Sequence, residues 1–202
     1  VQKEDITENG IKYIKQDGSV GYYQTVNKTT PVAGDVKYVD RNGDGVVDDN
    51  DRDIIGNPNP DFTYGFQTKV SWKSLSLSAS FNGVQGRDIL NVGNRYNNTP
   101  GTKSNNVTRK AFQNMWTDEN PSNLYPKSTF VVQNMVMDRY VEDGSYLRCS
   151  DITLSYVLPA KWTNKIGIKN TSVYASVKNA FVITDYSGYD PEAVSYTHLT
   201  LP

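Results

Sequence analysis

The residues best suited to chemistry lie between Asp40 and Asp51, in the run DRNGDGVVDDND. Asp40, Asn42 and Asp44 place side-chain oxygens at the first, third and fifth positions of a calcium-type loop. Gly45 stands where the sharp turn needs a residue without a side chain, and Val46 follows, able to offer its carbonyl. Asp48 and Asp51 fill the ninth and twelfth positions, the latter an Asp where an EF-hand carries Glu. A hard cation such as calcium takes six to eight oxygens, and this run can supply them. A bare Asx-rich turn is the competing account. Tyr38-Val39 before the loop and Ile54-Ile55 after it read as extended strand, so a structural calcium clip is expected, not a switched helix pair.

No other constellation stands out. There is no Gly-rich phosphate loop, no His–Glu metal pair and no Ser/His arrangement, so no catalytic residue is assigned and an enzyme is not expected. The single cysteine, Cys149, excludes an internal disulfide framework. With 21 Lys+Arg against 22 Asp+Glu and no basic run, nucleic acid is not an expected partner.

Tyr supplies 14 aromatics against 6 Phe and 3 Trp, among many turn-forming residues, a composition of strands and loops. No stretch approaches the roughly 18 apolar residues of a spanning helix. Strand-borne membrane crossing stays open, because alternation dilutes the apolar signal.

The alternation is sharpest from Phe62 to Trp72. Phe62, Tyr64, Phe66, Thr68, Val70 and Trp72 share one face; Thr63, Gly65, Gln67, Lys69 and Ser71 share the other. After Lys73-Ser74 it resumes with Leu75, Leu77, Ala79 and Phe81 against Ser76, Ser78, Ser80 and Asn82, which predicts an antiparallel hairpin. A second pair is predicted from Asp151 to Leu158 and from Val173 to Thr184, with Asn179 out of pattern. A shorter hairpin is expected about Asp17-Gly18, between Lys12-Tyr13-Ile14 and Val20 to Tyr23. Residues 83 to 145 form a long polar connection with one helix expected from Val107 to Trp116, capped by Asn106. Long strands joined alternately by short turns and long loops favour a transmembrane barrel over a soluble sandwich.

The fold class expected is therefore all-β: part of a large antiparallel transmembrane β-barrel, about four strands plus long extracellular loops, incomplete at both ends. Residues 1–61 read as an extracellular loop region carrying the acidic loop, and 62–194 as C-terminal barrel strands with the long loop at 83–145. Residues 195–202 read as a non-native tail holding the one histidine, His198. The chain opens on Val1, and its true start is expected upstream.

Four stretches carry a family resemblance: Gly34 to Asp40 leading through Asn42-Gly43-Asp44-Gly45 to Ile55 to Phe66, Phe81 to Ile89, Val141 to Arg148, and Asp185 to Glu192. In this order they resemble the SusC/RagA family of TonB-linked outer-membrane transporters. The resemblance implies a plugged barrel of about 22 strands in the outer membrane of a Gram-negative bacterium. It also implies import of oligosaccharides or peptides, a SusD-like surface lipoprotein as lid, outer-membrane lipid around the wall, and the TonB complex acting on a missing N-terminal part. The alternative is a soluble, secreted, calcium-stabilised β-rich binding module, which would need no detergent.

Overall fold

The computed structural model describes residues 1–98, 106–128, 136–164, 167–168 and 171–192. The tail from Ser195 lies outside them. The chain divides into two compact units, 1–55 with 92–137 and 56–91 with 138–202.

The first unit is a small sheet around an aromatic core. Strands β1 (Ile6–Thr7), β2 (Gly10–Ile14) and β3 (Val20–Tyr23) run antiparallel in that order. The hairpin expected about Asp17-Gly18 is the β2–β3 turn, closed by Lys15 N–H donating to the Ser19 carbonyl at 2.8 Å. Two-residue strands β4 (Thr25–Val26) and β5 (Val46–Val47) pair in parallel. Alternation buries Ile11, Tyr13 and Tyr23, which pack with Val26 and Val47. The Tyr13 and Tyr23 rings meet at 5.8 Å. Tyr38-Val39 and Ile54-Ile55 are not strand, so the expectation of strands flanking the acidic loop fails; the Tyr38 amide donates to the Tyr23 hydroxyl at 3.1 Å and not to a strand ladder. Two short helices, α1 (Val92–Asn97) and α2 (Arg109–Asn114), come from the long connection. The cap of α2 is Thr108, not Asn106: its Oγ1 accepts from Ala111 N–H at 3.1 Å.

The second unit is built on four long strands: β6 (Phe62–Trp72), β7 (Leu75–Gln85), β10 (Tyr146–Val157) and β11 (Ser172–Thr184). Between β7 and β10 come the paired β8 (Asp88–Leu90) and β9 (Val141–Asp143), and α3 (Ala160–Thr163) lies between β10 and β11. The four strands form one antiparallel sheet in the order β11-β10-β7-β6. At 11 to 13 residues each, they reach the length that crosses a bilayer at a tilt.

Register puts like with like. Trp72 faces Leu75, Val70 faces Leu77, and Phe66 faces Phe81 with rings stacked at 4.7 Å. Tyr64 lies over Gly83 directly opposite; a Cβ there would fall 2.3 Å from the ring, so only glycine fits. The sheet carries a stacked irregularity at mid-length. Cys149 pairs with Phe81 and Phe181, whereas Asp151 pairs with Ser80 and Lys178. Ser150 is thus one residue extra against β7, and Asn179-Ala180 one extra against β10. Asn179 takes φ +50°, the local kink such a bulge requires.

Candidate functional site

The acidic loop belongs to the first unit and is closed by its own main chain. Asp40 accepts from Gly43 N–H at 2.6 Å and Gly45 N–H at 2.8 Å. Asn42 accepts from Asp44 N–H, and Asp44 from Val46 N–H. Asp48 caps a single turn of 3-10 helix through Asn50 N–H, while Asp51 reaches back to Arg41 N–H at 2.7 Å and to Asp48 N–H at 2.9 Å. Gly45, at φ +84°, holds the left-handed position the sixth place of such a loop demands. The carboxylates of Asp40 and Asp51 are buried, and Arg41 turns its guanidinium to Asp53. Among the described residues no three Asp, Glu, His or Cys side chains meet closely enough to hold a metal ion as they stand. The floor of the loop is Tyr13, whose hydroxyl donates to the Asp40 carbonyl at 2.6 Å; burial, and then the Asp40 and Asp51 charges, push that phenol above its ordinary range.

The sheet of the second unit has two unlike faces. One bears Phe66, Val70, Leu77, Leu154, Val177 and Ile183, all exposed, with Trp72 68% exposed at the short-turn end beneath the Lys73 ammonium. Trp162, in the other short link, is also exposed. The opposite face carries hydroxyls and charges: Ser71 and Ser76 share a hydrogen bond at 2.9 Å, and Asp151 accepts from Thr153 at 2.8 Å and Ser176 at 2.9 Å. The sequence-expected Gln67, Lys69 and Asn82 lie on this polar face by register. Trp116, an aromatic of the long connection, packs into the first unit, buried and donating to Gln2 Oε1 at 2.9 Å.

The polar face ends, at the side where the long connections leave, in a cluster that sequence reasoning did not single out. Arg148 is buried on β10. Its Nη2 meets Asp190 Oδ1 at 2.5 Å, and its Nε lies 2.9 Å from Glu192 Oε2, out of line for a hydrogen bond. Tyr146 donates to Glu192 at 2.8 Å, Asn82 donates to the same oxygen at 3.3 Å, and Arg87 donates to the Pro191 carbonyl. Glu142 accepts from Asn91 and from the Ser187 amide and hydroxyl at 2.8 to 2.9 Å. Asn57 and Asp88 exchange bonds beside them. Three of the stretches that carried the family resemblance, Phe81 to Ile89, Val141 to Arg148 and Asp185 to Glu192, thus meet here, together with Asn57 from the later part of the first, which is the signal that could have located the cluster.

Strands of membrane-crossing length with one apolar and one polar face define a segment of an outer-membrane β-barrel wall. No protein-family model matches the chain. Among curated proteins it is 34% identical over 82% of its length to the TonB-dependent receptor P26 of Formosa agariphila. It is 32% identical over 96% of its length to the TonB-dependent receptor SusC of Bacteroides thetaiotaomicron. Among solved structures, the RagAB peptide transporter matches 69% of the chain at 31% identity with a TM-score of 0.61; the open-open state of the RagAB peptide importer matches 94% at 25% identity and 0.62. The chain belongs to the SusC/RagA family of TonB-dependent receptors, proteins of the Gram-negative outer membrane. It spans only 17% and 20% of the length of those two curated relatives.

Proposed function

We propose that this chain is part of the wall and vestibule of a TonB-driven importer that carries large nutrients across the outer membrane beneath a SusD-like surface lipoprotein. The observation that carries this reading is the two-faced four-stranded sheet, an apolar side for lipid and a hydroxyl-lined side for a water-filled lumen, in a chain with these relatives. Of the two nutrient classes, oligosaccharides and peptides, the RagAB peptide transporter among its structural neighbours favours peptides. The relatives are receptors, which supports transport and not catalysis. Import, lid and TonB contact are properties of the full-length protein. In cells carrying that protein and a SusD-like lipoprotein, the two should co-purify, and growth on peptides as sole nitrogen source should stop when TonB is removed. TonB-independent growth would overturn the reading.

A structural calcium ion in the acidic loop belongs to the same proposal. Its support is the oxygen spacing of Asp40, Asn42, Asp44, Val46, Asp48 and Asp51, the left-handed Gly45, and two buried carboxylates whose oxygens are met by main-chain amides. Binding would draw the Asp40, Asp44 and Asp48 side chains inward, since they do not converge as they stand. Calorimetry of the detergent-solubilised full-length protein should show heat with millimolar calcium that Asp40→Asn abolishes. No heat from the unsubstituted protein rejects the ion.

A further inference from the structure

The connection after β11 is held to its own sheet by charge. Between Asp185 and Glu192, Ser187 is bound through its amide and hydroxyl by Glu142, and the Pro191 carbonyl accepts from Arg87. Asp190 and Glu192 close on Arg148, whose side chain is only 10% exposed. Asp190 also accepts from the Glu192 amide at 2.8 Å, which folds the tripeptide around the guanidinium. Beneath it lies Tyr146, with the Arg87 and Arg148 guanidiniums 5.7 and 5.8 Å from its ring centre.

Apolar anchoring is lighter by comparison. Pro191 is buried and Tyr186 half-buried with its ring over Gly188, but Tyr189 is 100% exposed. The two carboxylates are themselves 38% and 46% open to water. Arg148 Nε, fully covered, lacks an in-line acceptor, so the grip is not at its tightest. A segment fixed by an apolar core opens only with the fold, whereas one fixed by partly hydrated ion pairs opens locally.

We propose that Asp185–Glu192 is a releasable strap, clamped by Arg87 and Arg148 across the outer end of the polar face. When closed, it covers Tyr146 and both guanidiniums; when open, it bares them at the mouth of the lumen. The strap goes beyond import and takes from that reading only which end of the sheet faces outward.

The test is hydrogen exchange by mass spectrometry on the full-length protein in detergent, following the peptide that spans 185–192 against peptides from β7 and β10. Arg148→Met should speed exchange in the strap peptide by about tenfold, the scale set by losing one charge-assisted hydrogen bond, while β7 and β10 stay protected. Molar salt should speed the strap in the unsubstituted protein and not in the variant, because screening weakens ion pairs alone. Arg148→Glu combined with Glu192→Arg should restore much of the protection. If Arg148→Met fails to fold, Glu192→Gln replaces it, changing an exposed group at constant size, and should still speed the strap several-fold. Strap exchange unchanged in the folded variant, or insensitive to salt, overturns the proposal. A rise shared equally with β7 and β10 overturns it too, since the segment would then open only with the sheet.

Discussion

In the first unit, alternation turns Ile11, Tyr13 and Tyr23 inward to be buried with Val26 and Val47, while Lys12, Ile14, Val20 and Tyr22 face out. In the second, the same period of two turns Phe66, Val70, Leu77 and Val177 outward, where no residue of the sheet covers them. One pattern serves two solvents. Water pushes apolar side chains together in the first unit. In the barrel wall, lipid receives them, and the polar groups line an aqueous lumen. Alternation alone therefore states that a strand has two faces and leaves open which face meets what.

Substitutions can break this contrast. The largest effect is expected at Tyr23. Tyr23→Ala empties the centre of the small core and should cost about 3–5 kcal/mol there, read as lost amide protection across residues 10–26 with β6 and β7 unchanged. Equal loss in the sheet would mean the two regions do not stand on separate cores. Next comes Val177→Arg, a charge on the outward face of the sheet, 56% exposed. In a soluble sheet such a change is nearly neutral, but at mid-membrane it should cost roughly 2–4 kcal/mol. Gln67→Arg, on the polar face, is the control and should cost little. Urea titration of the full-length protein in lipid vesicles compares them, and matching midpoints would erase the difference between the faces.

Smaller effects sharpen the first unit. Thr108→Ala removes the cap of α2 and should cost about 1 kcal/mol, seen as faster exchange at residues 109–114 alone. The weakest is acid sensitivity at Asp5. Burial would raise its pKa, but the Lys37 ammonium at 2.6 Å and the Gln2 amide outweigh burial, so the carboxyl titrates below its ordinary 3.8. Because the folded value is depressed, the stability it contributes is present above 3.8 and lost as pH falls below it. Asp5→Asn should flatten that acid limb for the first unit. An unchanged limb would assign it to other carboxylates.

The β6–β7 hairpin was legible from Phe62 to Asn82, because its alternation is unbroken and Lys73-Ser74 leaves room for only one turn; the last residues of β7, Gly83 to Gln85, were read into the long connection instead. The third long strand was legible only from Asp151, although β10 begins at Tyr146. The reason is the extra residue at Ser150: Tyr146 and Arg148 share the polar face with Asp151 and Thr153 by register, so the parity of the sequence flips there. Asn179 stood out of pattern because it occupies the matching irregularity on β11. Trp116 and Tyr96 are both loop aromatics by sequence, yet one is buried and the other exposed, since side-chain fate in an irregular connection follows no period. The Arg148 cluster was hidden for another reason. Its partners lie far along the chain, at Asn82, Asp190 and Glu192, and charged residues in loops ordinarily read as solvated surface.

Cys149 has a practical consequence. It is the only thiol in the chain and is fully buried, with Phe81 and Phe181 as its neighbours in register. Thiols react as exposed thiolates, and this one is closed to solvent, its Sγ donating to the Asp151 carbonyl at 3.9 Å. The unsubstituted segment should therefore stay dark to water-borne maleimide dyes and spin labels. A cysteine placed anywhere else on this stretch would report alone, with the parent sequence as its own blank.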